Sequence, residues 1–558
     1  MNPLSMSLRD LINGVENAEI LTPEMIQRGF VWGRSKVYDL FESIFRNYPI
    51  GIIILWEISN EIRRKIIHGE DIPIGFKPII ETNKPTNPKY FVVDGLQRLV
   101  SFILFKKGEV KVLQKHKEYV KKTINIYYNP NTNQIGLRKS DVGEPAVLVS
   151  DIFNNNLDKY TNLTGKQKDK LYDLKYKILN YTVPVYVLSS SYDIVDIANI
   201  FDRINSKGTK VVLAQIITAY LAVTLSDVAI DLWNYVKEQR IKGRAINITT
   251  PAKSLSYLIT GTTQVKTLLN RMSKGEIKRD KVREVWNNLK KAYDNAFAIL
   301  KEYLGLTNTR ILPSETPLTA LSIMLYKIDR ERRIKREPDF NKALAYWFAL
   351  ATYHRYYTGS TEVKLDGDIK VVNEVLKKGG KLNEVIKELV NRLERVIGSI
   401  EVTEERIKEA TSREKRARFL LYITLCIKGA VDWFTGSSIQ SISWKNMHLH
   451  HIFPRKRKPH RLIENIGNLT FISADTNKHI RDKEPVEYFE ELRRELERRA
   501  RTKKEAQEKF RKILESHFIP PVKHKWKSTR RLIEERRKLI AEFITQEIVK
   551  FIREYAKL

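Results

Sequence analysis

The spacing of apolar residues changes at about residue 210, and this change means that the two parts of the chain must fold differently. Before it, β-rich runs such as GIIILWEI alternate with stretches of helical spacing such as VYDLFESIFRNYPI. After it, as in VREVWNNLKKAYDNAFAILKEYL, the spacing is almost purely helical. The pattern predicts a multidomain α+β protein. With 558 residues, each of several domains is long enough to bury its own core.

Four stretches of the first part predict particular elements. The stretch KYFVVDGLQRLVSFILFKKG predicts a strand, a tight turn and a helix that ends at Gly108. INIYYNPNTNQIGLR predicts a hairpin, and YTVPVYVLSS predicts a further strand. YDIVDIANIFDRINSKGTK predicts a helix with Gly208 as its C-terminal cap. At the other end of the chain, the amphipathic tail from STRRLIEE onward predicts a packing helix rather than a coiled-coil partner surface.

The charge of the chain points to a polyanionic partner. Lys and Arg number 99 against 66 Asp and Glu, which gives a formal net charge of +33. Such an excess repels itself unless a polyanion neutralises it, so nucleic acid is the leading partner. Membrane-binding proteins usually concentrate basic residues in one arm or amphipathic helix, whereas here they are spread along the chain.

Neither a secretory signal nor a membrane span is predicted. The N-terminus lacks a basic region followed by an apolar run. The longest uncharged apolar stretch, 211–226, is shorter than the roughly 20 residues that span a bilayer, and it predicts a buried helix. The single cysteine, Cys426, excludes an internal disulfide and a cysteine-based zinc cluster. A reducing cytoplasm is therefore the expected location.

Histidines are concentrated near the C-terminus. Of 10 in the chain, five lie within the stretch that begins HLHHIFPRKRKPHR and continues through IGNLTFISADTNKHIRDK. This stretch predicts a strand that ends at a turn at Pro454, a basic loop, a second strand, and a helix capped by Ser473 or Asp475. Adjacent strand residues point to opposite faces, so His450 and His451 can have different roles. Phosphodiester hydrolysis needs a general base and a divalent cation. One imidazole can act as the base, and another can bind the cation.

The stretch resembles the HNH, or ββα-metal, nucleases, and within them the C-terminal nuclease domain of GmrSD-type modification-dependent restriction proteins. The resemblance rests on HHIFP at 450–454, GNLT at 467–470 and Asn477. It implies His451 as general base, His450 and Asn477 as metal ligands, and Asn468 as the residue that orients the base or its loop. His450 stands where the family usually has an acid, which favours Mn or Zn over Mg.

Basic residues around this stretch are predicted to contact DNA. The loop that follows the first strand, with Arg455, Lys456 and Arg457, is expected to follow the DNA backbone with salt-sensitive affinity and without sequence choice. The resemblance places Lys478, His479 and Lys483 close to the phosphates of the substrate. A structural metal site, or DNA contact through charge alone, is the alternative for the histidines.

A second group of polar residues lies in the turn of YFVVDGLQRLVSF. A strand–turn–helix presents backbone N–H groups and the positive end of a helix dipole, which suit phosphate. Together with QRGF and IFDRINSKG, this turn resembles the N-terminal GmrS-like domain of the same proteins, whose fold is similar to ParB and sulfiredoxin. The resemblance implies a nucleoside triphosphate site, with Leu96 in place of the family's first Gln, and its members are Gln27, Arg28, Asp94, Gly95, Gln97, Arg98 and Asn205.

The resemblance implies three domains and one function. The domains are a GmrS-like sensor at 1–210, a helical connector at 211–400, and a GmrD-like HNH nuclease with C-terminal helices at 401–558. The implied function is a metal-dependent DNA endonuclease of a defence system, controlled by nucleotide binding and hydrolysis, that cuts double-stranded DNA. Whether that DNA is modified, and whether the protein is a homodimer, stays open. The alternatives are a non-catalytic, nucleotide-switched DNA-binding regulator and a toxin-like nuclease that acts on RNA or the host chromosome.

Overall fold

The chain forms two compact units, Met1–Ile230 and Asp231–Leu558, in the computed structural model. The structure describes residues 2–23, 29–70, 76–82, 85–113, 119–192, 196–197, 200, 226–244, 246–331, 336–456 and 460–558. The helices of the predicted connector and those of the predicted nuclease belong to the same unit. The boundaries at 210 and 400 stay a prediction.

The first unit combines strands and helices, as the alternating pattern predicts. Its strands are β1 (Asn2–Ser7), β2 (Ile20–Pro23), β3 (Ile53–Glu57), β4 (Phe76–Pro78), β5 (Tyr90–Asp94), β6 (Glu109–Leu113), β7 (Tyr119–Thr123), β8 (Tyr127–Asn129), β9 (Gln134–Gly136), β10 (Val147–Leu148) and β11 (Thr182–Leu188). Its helices are α1 (Leu8–Glu16), α2 (Arg34–Phe45), α3 (Asn60–His68), α4 (Leu96–Lys107), α5 (Lys139–Val142), α6 (Val149–Phe153) and α7 (Gly165–Leu179). Among the described residues, a mixed sheet has the strand order β1-β11-β3-β5-β2-β4.

Strand β5 lies inside this sheet and is buried on both faces. It pairs parallel to β2 and antiparallel to β3. Val92 packs into the larger core, while Phe91 and Val93 pack into the core on the other face. Burial on both sides explains why the sequence here is a continuous apolar run rather than an alternating one.

The structure confirms most of the predicted elements of this unit. Helix α4 follows β5 directly and ends at Gly108, whose φ of +71° suits a residue without a Cβ. The predicted hairpin is β8–β9, and YTVPVYVLSS contains β11. Most of the predicted helix with Gly208, and the apolar stretch at 211–226 up to residue 225, lie outside the described residues.

The second unit is mostly helical. Its helices, the first of which begins just before the boundary, are α8 (Ser226–Ile241), α9 (Thr249–Thr260), α10 (Val265–Ser273), α11 (Arg279–Leu304), α12 (Thr316–Arg330), α13 (Pro338–Tyr353), α14 (Thr361–Lys377), α15 (Leu382–Ile397), α16 (Glu404–Ile407), α17 (Lys415–Ile427), α18 (His460–Ile463), α19 (Ala474–Ile480), α20 (Pro485–Arg499), α21 (Lys503–Ser516), α22 (Thr529–Ile544) and α23 (Lys550–Ala556). Two short strands, β12 (Met447–His451) and β13 (Leu469–Ser473), pair with each other. In the described ranges, no helix combines the length and apolar character needed to cross a bilayer.

The C-terminal helices pack against the two strands. One core joins Ile452 and Ile472, next to and within the strand pair, to Tyr488 of α20 and Leu532 of α22. The tail therefore contains a packing helix, as its amphipathic pattern predicts. It continues through a π-helical turn, Thr545–Val549, into α23.

Candidate active site

The histidine-rich stretch contains the two predicted strands and the predicted helix; the segment between the strands contains α18, and its residues 457–459 lie outside the described residues. Strand β12 pairs antiparallel with β13, so that His450 is opposite Thr470 and His451 is opposite Leu469. Helix α19 begins immediately after β13, where the Ser473 side chain accepts a hydrogen bond from the backbone N–H of Thr476. The cap confirms Ser473 as the helix start.

A buried carboxylate fixes the start of α19. Asp432 is fully buried, and its Oδ2 accepts a 2.6 Å hydrogen bond from the backbone N–H of Ser473. Its Oδ1 accepts from the Thr476 hydroxyl and, at 2.8 Å, from the Thr435 hydroxyl. Burial would raise the pKa of Asp432, but these hydrogen bonds lower it below the usual value, so the group is an ionised acceptor. The helix that carries Asn477 is thus held in a defined position.

His450 and Asn477 lie in direct contact. The His450 Nδ1–H donates a 2.9 Å hydrogen bond to the Asn477 Oδ1, and the His450 Nε2 is buried with no hydrogen-bond partner among the described residues. The imidazole lies edge-to-face against Trp433 at 5.7 Å, and burial lowers the pKa of His450 to about 4, so the ring is neutral at pH 7. A neutral imidazole is the form that binds metal.

The spacing of these two atoms suits a divalent ion. Two ligands about 2.1 Å from one ion and at right angles to each other are roughly 3 Å apart, close to the distance between Nδ1 and Oδ1. Asn477 also contacts His448, since its Nδ2 is 3.4 Å from the His448 Nδ1. In the described part of the chain, no three side chains of His, Cys, Asp or Glu form a metal-binding group, so an ion at this position would need the Asn477 amide oxygen as a ligand. The residues present fit the predicted ion.

His451 has a different partner from His450. Its Nε2 lies 3.3 Å from Oε2 of Glu464, which the Ser412 hydroxyl also contacts. Burial would raise the pKa of Glu464, but the hydrogen bond from Ser412 and the nearby His451 and Arg455 lower it. An ionised carboxylate only accepts hydrogen bonds, so His451 must donate through Nε2–H and keep its lone pair on Nδ1. Burial lowers the pKa of His451, which Glu464 partly offsets, and this favours the neutral base.

Asn468 is a structural neighbour of this base. It is fully buried, and its side chain accepts from the Phe453 N–H at 2.8 Å and donates to the carbonyls of Phe453 and Ile463 at 3.1 and 2.9 Å. The amide therefore joins the turn after β12 to the end of α18. Its contacts are those of a positioning residue for the loop that follows His451.

The residues predicted to contact phosphate differ in whether a nearby carboxylate pairs with them. Arg455, Lys456 and Lys478 are exposed, although Arg455 lies 3.5 Å from Glu464. The Lys483 ammonium and the His479 imidazole share Glu491, at 2.7 and 3.3 Å. Arg457 lies outside the described residues. Their contact with DNA stays a prediction.

Four of the predicted nucleotide-binding residues meet at the junction of β5 and α4. The Gln97 side chain accepts from the N–H groups of Val31 and Trp32 and donates to the Gly29 carbonyl. Arg98 pairs with Asp94 at 2.9 Å and donates to the Ile50 carbonyl at 3.0 Å. Gly95, in the left-handed region with φ +103°, has no room for a Cβ, which would be 2.9 Å from Ile53.

Two further observations concern this junction. Leu96 is buried in the core, so the hydrophobic replacement of the family's Gln serves packing. Gln27, Arg28 and Asn205 lie outside the described residues. Nucleotide binding at this junction stays a prediction.

Reasoning from sequence missed several residues of the C-terminal site. His448 has a recognisable signal, since residues two apart on a strand share a face, and His450 is two residues on. Glu464 lies 13 residues after His451, within the same stretch, but no motif marks it, and Ser412 lies 52 residues before Glu464. Asp432 and His517 are also unsignalled; the latter contacts the Thr470 hydroxyl at 2.6 Å.

Comparison with known proteins bears on the first unit most directly. Residues 8–222 match the family described as the GmrSD restriction endonuclease, N-terminal domain. Over an alignment of 559 positions the chain is 23% identical to an uncharacterised protein of Methanocaldococcus jannaschii, and this covers 92% of the chain and 91% of that protein. The first match supports the predicted resemblance of the N-terminal part to GmrSD-type restriction proteins. It does not extend to the histidine-rich stretch.

Proposed function

We propose that this protein is a metal-dependent DNA endonuclease of a restriction system, which cuts phosphodiester bonds at the site formed by β12, β13 and α19. The observation that carries the proposal is the pairing of the His451 Nε2 with ionised Glu464, beside a His450–Asn477 pair spaced for a divalent ion. The match of residues 8–222 to a restriction endonuclease domain supports the restriction role. The net charge of +33 supports DNA as the partner.

The two adjacent histidines of β12 would have different roles in hydrolysis. His451 accepts a proton from water on Nδ1, because its hydrogen bond to Glu464 keeps the other ring proton on Nε2. Glu464 stabilises the imidazolium that results. His450 and Asn477 would hold a divalent ion, which supplies charge to bind the scissile phosphate and stabilise the leaving oxygen. The exposed Arg455, Lys456 and Lys478 would bind flanking phosphates.

Plasmid cleavage tests the proposal. We expect the purified protein to nick or linearise supercoiled DNA with Mg²⁺, Mn²⁺ or Zn²⁺. His451→Ala should lower the rate by roughly 10²–10⁴-fold, the usual contribution of a general base, while DNA binding stays intact. His68→Ala, at an exposed histidine of α3, is the matched control. Equal cutting by His451→Ala would remove the assignment.

The same assay separates the alternatives. DNA binding that responds to nucleotide, with no cleavage under any metal, would favour the non-catalytic regulator. Parallel degradation assays on DNA and RNA would separate a restriction nuclease from a toxin-like one. Cutting of modified but not unmodified phage DNA would show that a DNA mark is sensed.

We also propose that nucleotide binds at the β5–α4 junction and controls cutting. Gly95 precedes the first residue of helix α4 and has no side chain to cap it, so the first N–H groups of the helix suit a phosphate. Asp94→Asn keeps the shape of the side chain but removes the charge that pairs with Arg98 and that a bound metal or ribose hydroxyl would use. We expect weaker nucleotide binding by calorimetry, with the exposed Asp158→Asn as control. Unchanged affinity, or no binding by the wild type, would contradict the site.

A further inference from the structure

Strand β12 places a second imidazole beside the predicted metal ligands. His448 and His450 are two residues apart, so they share one face of the strand, whereas Leu449 and His451 share the other. The partners across the strand pair are Ile472 for His448 and Thr470 for His450. His448 is exposed and His450 is buried, so the His448 ring lies at the surface of the site and the His450 ring lies inside it.

Asn477 links the two rings through a single amide. Its Oδ1 contacts the His450 Nδ1 at 2.9 Å, and its Nδ2 contacts the His448 Nδ1 at 3.4 Å. The same ring atom of both histidines therefore faces the one side chain that α19 contributes. Asp432 accepts hydrogen bonds from Ser473 and Thr476 at the start of that helix, and these bonds fix the position of Asn477.

We propose that His448 is a third metal ligand and that it makes the site selective for zinc or manganese over magnesium. This inference rests on the proposed function of the same site. Two imidazole nitrogens and one amide oxygen suit borderline ions such as Zn²⁺ and Mn²⁺, whereas Mg²⁺ prefers oxygen ligands and keeps its waters. Three protein ligands leave positions free for water and phosphate, unlike a closed structural zinc site with four.

The geometry also explains why the site tolerates His450 in place of an acid. A lone imidazole with an amide gives a neutral site that binds hard cations poorly. A second imidazole adds affinity for a softer cation without adding negative charge near the DNA phosphates. His448 would thus compensate for the missing carboxylate by ligand number.

Metal binding to the full-length protein, freed of metal with a chelator, tests the proposal directly. Zinc affinity and stoichiometry are measured by calorimetry, and cobalt binding is followed by its visible absorption band. We expect one high-affinity zinc per chain and a loss of about tenfold or more in zinc affinity in His448→Ala, with a changed cobalt band. Magnesium affinity should change less than about twofold. The exposed His524→Ala is the matched control.

His448→Asp provides the reciprocal test. A carboxylate at this position should weaken zinc binding and strengthen magnesium binding, since carboxylate oxygen suits the harder ion. Equal zinc affinity in wild type and His448→Ala, or no zinc binding by the wild type, would overturn the proposal. Because 448 is exposed, unchanged thermal stability of the metal-free variants would show that the loss is one of ligation and not of folding.

The outcomes also distinguish this inference from the proposed function. If His448→Ala binds zinc normally while His451→Ala abolishes cutting, the ligand assignment fails and the nuclease stands. If zinc binds through His448 but the wild type cuts no nucleic acid with any metal, the nuclease fails and the three-ligand site stands.

Discussion

At the scale of single residues, the proposed site depends on two adjacent histidines with different partners. His450 is buried with its ring against Trp433 and faces Asn477, whereas His451 faces the ionised Glu464. The alternation of a β-strand is what separates them, because neighbouring side chains leave the strand on opposite faces. One short sequence, His-His, would therefore supply both the proposed ligand and the proposed base without competition between them.

Replacement of Glu464 tests the role of the carboxylate. Glu464 raises the pKa of His451 against the effect of burial, so Glu464→Gln should lower that pKa. The base must be deprotonated to act, so the acid limb of the pH–rate profile should move to lower pH. The maximal rate should also fall about tenfold or more, as is usual when a residue that hydrogen-bonds to a site residue is replaced. The measurement is cleavage rate against pH, with the exposed Glu534→Gln as control. An unshifted acid limb would contradict the pairing.

At the scale of elements, the C-terminal helix α22 supports the turn that precedes β13. Arg536 of α22 is fully buried, and it donates to the Gly467 carbonyl at 2.9 Å and to the His517 carbonyl at 2.8 Å. Gly467 packs so closely on α22 that a Cβ there would be 2.6 Å from the Ile533 carbonyl oxygen. The glycine next to Asn468 is thus required by contact between elements and not by its φ angle.

A methyl group at Gly467 should separate these elements. Because the obstructing atom belongs to the backbone, Gly467→Ala should cost about 1–3 kcal/mol of stability, as overpacking does, and should lower the cutting rate by displacing Asn468. Thermal unfolding and plasmid cleavage measure the two effects. Gly165→Ala, at the first position of α7 with open space around its Cβ, is the control. Wild-type stability in Gly467→Ala would show that α22 yields to the added methyl.

The elements were largely predictable from sequence, but their contacts were not. The strand–turn–helix at Gly95, the hairpin β8–β9, and the order of β12, β13 and α19 follow from local apolar spacing and turn residues. Asp432 could not be placed by such rules, because its partners Ser473 and Thr476 lie 41 and 44 residues further along the chain. Glu464 lies only 13 residues after His451, but no motif marks it. Asn468 lay in a recognised motif, yet only the structure reveals that its amide binds the backbone of the turn after β12 and of the end of α18.

At the scale of the whole molecule, DNA binding depends on positive charge, whereas the proposed site depends on neutral imidazoles. A charge of +33 favours DNA along the whole chain, and its contribution is independent of sequence. The proposed ligand His450 and the proposed base His451, by contrast, must remain neutral to act, and burial lowers the pKa of each. The stability of a basic protein with neutral imidazoles in its core should therefore fall with decreasing pH before its carboxylates are protonated.

The last prediction is that stability falls as the pH drops from about 6.5 to 4.5. Burial lowers the pKa of His517 and of His354 to about 4, from an ordinary value of 6.5. The unfolded chain takes up protons on these groups below about pH 6.5, and the folded chain does not, so each added proton favours unfolding. Carboxylates with lowered pKa values, such as Asp432, contribute stability that is lost only at still lower pH.

Thermal unfolding in the presence of a chelator, measured across this range, checks the sign. The midpoint should be level above about pH 6.5 and should fall below it. His354→Gln should show a shallower fall, because it removes one imidazole that resists protonation when folded, whereas the exposed His68→Gln should keep the wild-type slope. A midpoint that stays level down to pH 5 would mean that the folded chain protonates its buried histidines as readily as the unfolded one, and the neutral ring at His450 would lose its physical basis as well.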